Sequence, residues 1–170
     1  MATSGSATII VAVAETLDTP ENRSGTIYDA MRPVYSWTDG LLAGQNDLVW
    51  SDRRTVVAGA TDTIDLNGGG LTDAFGNAVN FVEVTMIAIR NRETTAATRT
   101  LRFGPAAANP FLWLFVDASD QVVIVPSGAY CQWSDEAQTV TPGVSDSVRI
   151  INTDLANGVT YDIIVSGRSA

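Results

Sequence analysis

The stretch VTYDIIVSG, residues 159–167, constrains the fold more than any other part of the chain. Val159, Tyr161, Ile163 and Val165 alternate with Thr160, Asp162, Ile164 and Ser166, a period of two with one wholly apolar face. Such a segment is a strand with one face in a core. From about Leu48 onward the chain keeps to this style, with short β-branched or aromatic runs separated by clusters of Gly, Pro, Asn and Asp. In FVEVTMIAIRNR, residues 81–92, one side carries Val82, Val84, Met86 and Ala88 and the other Phe81, Glu83, Thr85, Ile87 and Ile89. A run apolar on both faces towards its end belongs in the centre of a sheet.

Further strands are expected at Asp47 to Val57, Thr61 to Leu66, Thr98 to Phe103, Phe111 to Val116, Gln121 to Val125, Ala129 to Trp133 and Ser147 to Asn152. So many short strands joined by turn-rich connections make the chain all-β, a β-sandwich, with a two-sheet jelly roll as the specific expectation. The 170 residues suffice for one domain that buries roughly 70% of its unfolded surface. The expected sandwich occupies residues 47–170.

Residues 14–46 carry Pro20, Pro33 and the aromatics Tyr28, Tyr35 and Trp37 without a sustained period. A structureless loop of that length is unusual inside a compact domain. Residues 1–46 are therefore read as an extended N-terminal arm or excursion, its aromatics buried on the outside of the domain or on a neighbouring chain. One or two edge strands of the same sandwich are the alternative. The apolar run Ile9 to Val13 has no basic residue before it and is too short to span a bilayer, so neither a signal peptide nor a membrane segment is expected.

Composition removes several chemistries. All ten basic residues are arginine, and the chain has no lysine or histidine. No Ser-His-Asp triad, imidazole metal ligand, Schiff base or phosphate-loop lysine can be assembled from it. A formal charge of −9 opposes binding to nucleic acid or to an anionic membrane. Cys131 is a lone thiol, read as a small buried hydrophobe in a protein made in a reducing cytoplasm.

DLNGGGLTDAFGN, residues 65–77, looks at first like a ligand loop. A calcium loop starting at Asp65 needs a side-chain ligand at its fifth position and Glu at its twelfth, where Gly69 and Gly76 stand. A phosphate loop needs a lysine, and a dinucleotide fingerprint needs glycine at Asp73. What remains is a connector: Gly68, Gly69 and Gly70 tolerate positive φ, Asp73 caps a turn, and Gly76-Asn77 makes a second turn.

For two-carboxylate catalysis the sequence offers the acid pairs Asp117 with Asp120 and Asp135 with Glu136, but DASDQ reads as a hairpin turn, where acids are usually solvated. No catalytic, cofactor-binding or metal-binding residue is assigned. Phe111, Trp113 and Phe115 are read as core or interface, the alternative being a sugar-stacking surface. Arg53, Arg54, Arg90, Arg92, Arg99 and Arg102 suit bidentate pairing with carboxylates of this chain or of a neighbour.

The pieces LVWSDRRTVVAGATDTIDLNGGGLTDAFGNAVNFVEVTMIAIRNRE, GPAAANPF, VVIVPSGAY and SVRIINTDLANGVTYDIIVSGRSA, in that order, resemble a family of small tailed-bacteriophage virion structural proteins. The resemblance covers about residues 48–170. It implies a jelly-roll-like capsid decoration, or cement, protein on the outer surface of the virion, made in the host cytoplasm. Its implied partner is the major capsid protein, and its implied state a homo-oligomer, commonly a trimer. No catalytic residues and no cofactor come with the family. A head-fibre or tail-associated module that binds a host glycan through Trp113 or Trp133 is the alternative.

If residues 65–77 are a connector, calcium leaves the melting temperature of the protein unchanged. A rise of several degrees at micromolar calcium would show a bound ion.

Overall fold

The computed structural model describes residues 3–8, 11–18, 24–31, 34–94, 99–113 and 115–170, with only the backbone described for 11–18 and 24–31. Its strands are β1 (Gly5–Thr8), β2 (Val11–Asp18), β3 (Ser24–Met31), β4 (Val34–Trp37), β5 (Leu48–Val56), β6 (Thr61–Asp65) and β7 (Leu71–Thr72). They continue with β8 (Ala78–Val79), β9 (Glu83–Asn91), β10 (Leu101–Pro105), β11 (Val122–Ile124), β12 (Ala129–Thr139), β13 (Ser147–Asn152) and β14 (Val159–Arg168). The described strands pair antiparallel throughout.

Two four-stranded sheets, β11-β10-β13-β6 and β12-β9-β14-β5, form an all-β sandwich. Their pairings nest, β5 with β14, β6 with β13, β9 with β12 and β10 with β11. Within this set of eight strands only the β10–β11 connection stays in one sheet; the others cross from sheet to sheet. The apolar alternation of β14 supplies the core, since Val159, Tyr161, Ile163 and Val165 are all buried. They meet Ile87 and Ile89 of β9 and, from the facing sheet, Ile64, Leu101, Phe103, Val148 and Ile150.

Two expectations are corrected. Phe111 to Val116 does not form a strand in its described residues. The Phe111 amide donates to the carbonyl of Ser147, and that of Phe115 donates to Leu112 across a turn. Phe111 is buried, and Trp113 and Phe115 pack against the core with ring centroids 6.4 Å (Phe111–Trp113) and 5.7 Å (Phe103–Phe115) apart. Consecutive large apolar residues are satisfied here by a loop that covers the core, without the alternation that a pleat imposes. In β9 the simple period also fails. Its register slips against β14 between Ser166 and Gly167 and against β12 between Trp133 and Gln138. That irregularity puts Val84 in the main core while Met86 joins a second cluster, so the two do not share a face.

At one edge the two sheets are tied by polar groups. The Arg54 guanidinium lies 3.0 Å from Asp62 of β6, and the Tyr161 hydroxyl donates to Asp62 Oδ2 at 2.7 Å. Burial, then the Asp62 carboxylate, pushes the Tyr161 phenol far above its ordinary range.

The stretch before β5, read from sequence as lacking a strand period, is a pair of ladders. β1 pairs with β4 from Gly5↔Trp37 to Thr8↔Val34, and β2 pairs with β3 from Val11↔Met31 to Asp18↔Ser24. Both ladders are in one register, that of a single long hairpin. Its base is seated on the outer face of the β12-β9-β14-β5 sheet. Tyr35 and Trp37 are buried there with Met86, flanked by Ala7, Val49, Cys131 and Trp133, and Tyr35 stacks on Trp133 with centroids 6.2 Å apart. Only glycine fits at position 5, because a Cβ there would come within 2.3 Å of the Trp37 ring. Asn46 is the joint between arm and body. It is fully buried; its Nδ2 donates to Ser166 Oγ at 3.0 Å and to the Tyr35 hydroxyl at 3.4 Å, while its Oδ1 accepts from Thr85 Oγ1 at 2.9 Å.

Removing residues 1–37 while retaining Asn46 should leave a β-rich body that melts in one transition, several degrees lower because Met86 loses its cover. Phe103→Ala in the main core should instead cost about 3–5 kcal/mol. A truncated chain that fails to fold would make the arm part of the body. For Tyr161 the folded pKa lies above the unfolded one, so its contribution is fully present below about pH 10 and is lost as pH rises further. The melting temperature of the wild type should therefore fall more steeply above that pH than that of Tyr161→Phe; parallel curves would exclude the coupling.

Candidate interaction surface

The acids singled out in the sequence are held by local backbone. In the 65–77 stretch, Asp65 Oδ1 accepts from the Asn67 amide at 2.9 Å. Asp73 Oδ1 accepts from the amides of Phe75 and Asn77, both at 2.8 Å. The Asn77 side chain, first among these donors, lowers the Asp73 pKa. Gly69 and Gly76 take positive φ of 77° and 85°, and Gly68 and Gly70 do not. Leu66, Leu71, Val79 and Phe81 are buried, so this excursion, which includes the β7–β8 ribbon, is pinned to the core at four places.

Asp120 Oδ2 accepts from the amides of Val116 and Asp117, and Asp117 Oδ1 from Ser119, which lowers the Asp117 pKa. These are turn caps, as the DASDQ pattern implies. Asp135 and Glu136 are exposed where β12 slips in register. Among the described residues no group of three or more His, Cys, Asp or Glu is arranged to hold a metal. The two tryptophans considered for sugar stacking both turn towards protein, Trp113 against the main core and Trp133 under Tyr35.

What the fold does expose is the outer face of the β12-β9-β14-β5 sheet beyond the seat of the arm. Pairing aligns its residues in rows across the strands. Ser51, Ile164, Ala88 and Cys131 form one row next to the seated cluster, and Arg53, Asp162, Arg90 and Ala129 form the next. Asp162 is gripped from two sides, by Arg53 Nε at 2.7 Å and by Arg92 Nη1 at 2.8 Å. Arg53 first, then Arg92, holds its carboxyl below the usual carboxylate range. The remaining arginines are dispersed. Arg54 serves the edge with Asp52 and Asp62, Arg99 pairs with Glu93 at 2.6 Å, and Arg168 with Glu83 at 3.3 Å. The sequence identified arginine as an interface residue; strand register was needed to show which ones share a face.

Among the described residues no helix is long and apolar enough to cross a membrane. No family model matches the chain, and no curated protein matches it. Among solved structures, a chain from Bacillus endospore appendages, described as a novel family of disulfide-linked pili, is similar to it. The likeness amounts to 11% identity over 76% of this chain and 95% of that one, with a TM-score of 0.34, which is too slight to carry an argument.

Proposed function

We propose that this protein is a structural interaction protein of a tailed-bacteriophage virion, a decoration or cement protein on the outer capsid surface whose partner is the major capsid protein. The observation that carries the reading is a hairpin whose described anchoring lies at its base. Tyr35, Trp37 and Asn46 fix it to the body, whereas among the described residues no body strand pairs with β2 or β3. A ribbon of two strands alone is marginally stable in water, so an arm of this form suits a role in which neighbours cover it.

The body supports the same reading. The nested pairing of its two sheets supports a jelly-roll reading, and the sequence resemblance of residues 48–170 points to the same class of virion component. The acid pairs weighed for catalysis cap turns or lie exposed, and arginines pair with carboxylates across strands. An acidic shell protein outside the head has no need to hold packaged nucleic acid. A homotrimer is the assembly this family resemblance favours. The glycan-binding alternative has less to stand on, because Trp113 packs against the main core and Trp133 is covered by Tyr35 of the arm.

Purified particles decide the matter. A decoration protein is present in hundreds of copies per virion, and heads that lack it lose DNA at a lower temperature than complete heads. A few copies confined to the tail, with binding on a glycan array, would replace this reading with the receptor-binding one.

A further inference from the structure

The outer face of the β12-β9-β14-β5 sheet differs in charge from the molecule as a whole. The chain carries −9, yet here Arg53, Arg90 and Arg92 gather around one carboxylate, Asp162. The side chains of Arg53 and Arg92 remain 63% and 39% exposed despite their ion pairs. Arg90 is exposed and, among the described residues, enters no ion pair. The adjoining row is apolar and partly open, with Ile164 exposed and Ala88 and Cys131 half-buried. This is the state of the face with the base of the chain's own arm already seated beside it.

The arm carries complementary chemistry. β2 and β3 contain Glu15, Asp18 and Asp29 and no arginine. The β2–β3 register places Val11, Val13, Glu15 and Leu17 opposite Met31, Asp29, Ile27 and Gly25. That is an apolar set interrupted by two acids. An eight-residue strand spans about 25 Å, and a four-stranded sheet is roughly 15 Å across at the usual spacing, so the ribbon is long enough to cross the whole face.

We propose that the arm of one copy lies across this face of a second copy of the chain. Glu15 and Asp29 meet Arg53, Arg90 and Arg92, and the apolar positions of the arm cover Ile164, Ala88 and Cys131. The inference extends the assembly reading above and rests on the arm being an interaction element, but its partner is another copy rather than the capsid lattice.

Charge exchange between full-length chains tests it. One variant reverses the face, Arg53→Glu with Arg90→Glu; a second reverses the arm, Glu15→Arg with Asp29→Arg; circular dichroism and melting confirm that each folds. Native mass spectrometry should find the wild type associated and more easily dissociated by salt, because screening shortens to about 10 Å at 0.1 M. Each variant alone should dissociate by roughly tenfold or more, since like charges then face each other. Mixed in equal amounts they should associate again, because acidic arm meets basic face and basic arm meets acidic face. Should the double face variant fail to fold, Arg90→Glu alone, which disturbs no ion pair described, should weaken association in the same direction.

A wild type that stays monomeric at high micromolar concentration overturns the proposal. So do variants that associate like the wild type, or a mixture that stays monomeric. A monomer that still decorates heads in full number would remove the arm exchange and leave the capsid reading in place.

Discussion

Strand β14 joins the two halves of this molecule. It lies between β5 and β9, pairs with both, and uses its two faces for different purposes. Val159, Tyr161, Ile163 and Val165 fill the space between the sheets, where each fully buried side chain of this size contributes about 1.5–3 kcal/mol. On the other face Ser166 accepts from Asn46, and its carbonyl accepts from Thr85. One element therefore sets the core and also fixes where the arm leaves the body. A shift of one residue in its register would exchange the two faces, placing Asp162 and Ser166 in the core.

The polar interactions sort by what their loss would do. The Asn46 side chain is enclosed with its partners, so truncating it leaves buried groups unpaired, at about 1–3 kcal/mol. The arginine pairs around Asp162 are partly exposed, where ion pairs stabilise by only about 0–1 kcal/mol. Their placement is thus poorly explained by folding alone. Guanidinium groups held by a carboxylate remain able to donate to a second one, which suits them to recognition.

Much of the sandwich was legible in the sequence because half-buried strands must alternate, and β13 and β14 do so within a residue or two of their observed ends. The connector at 65–77 was legible by elimination, since ligand loops demand residues that are missing there. The arm was less so. Its ladder is built from segments such as VAVAETLD and SGTIYDAM, whose alternation is diluted by Ala, Gly, Ser and Thr. The available signal was two β-compatible segments on either side of TPEN at 19–22, a sequence with the composition of a turn. Phe111 to Val116 misled for the opposite reason. A compact apolar run has the composition of a strand, and only the tertiary structure shows that its described residues form no ladder, Phe111 alone donating to Ser147 of β13, while the rings pack on the core. The basic face was hidden because Arg53, Arg90 and Asp162 come from three strands far apart in sequence.

Net charge and arm geometry together restrict how copies can meet. Two chains each carrying −9 repel at long range, and at physiological salt that repulsion is screened over about 8 Å. Contact is then favoured only where opposite charge and apolar surface coincide, which the basic face provides for an acidic ribbon. An arm laid on a sheet face joins two unlike surfaces, so every copy can give one arm and receive one. Such head-to-tail contacts close into a ring when the rotation between copies divides a full turn and otherwise continue as an open chain. In the proposed arm exchange, the angle at which Asn46, Tyr35 and Trp37 hold the base against β14 and β9 would set that rotation. If copies meet through the proposed arm exchange, the buried joint around Asn46 would set the symmetry of the assembly as well as hold the arm to the body.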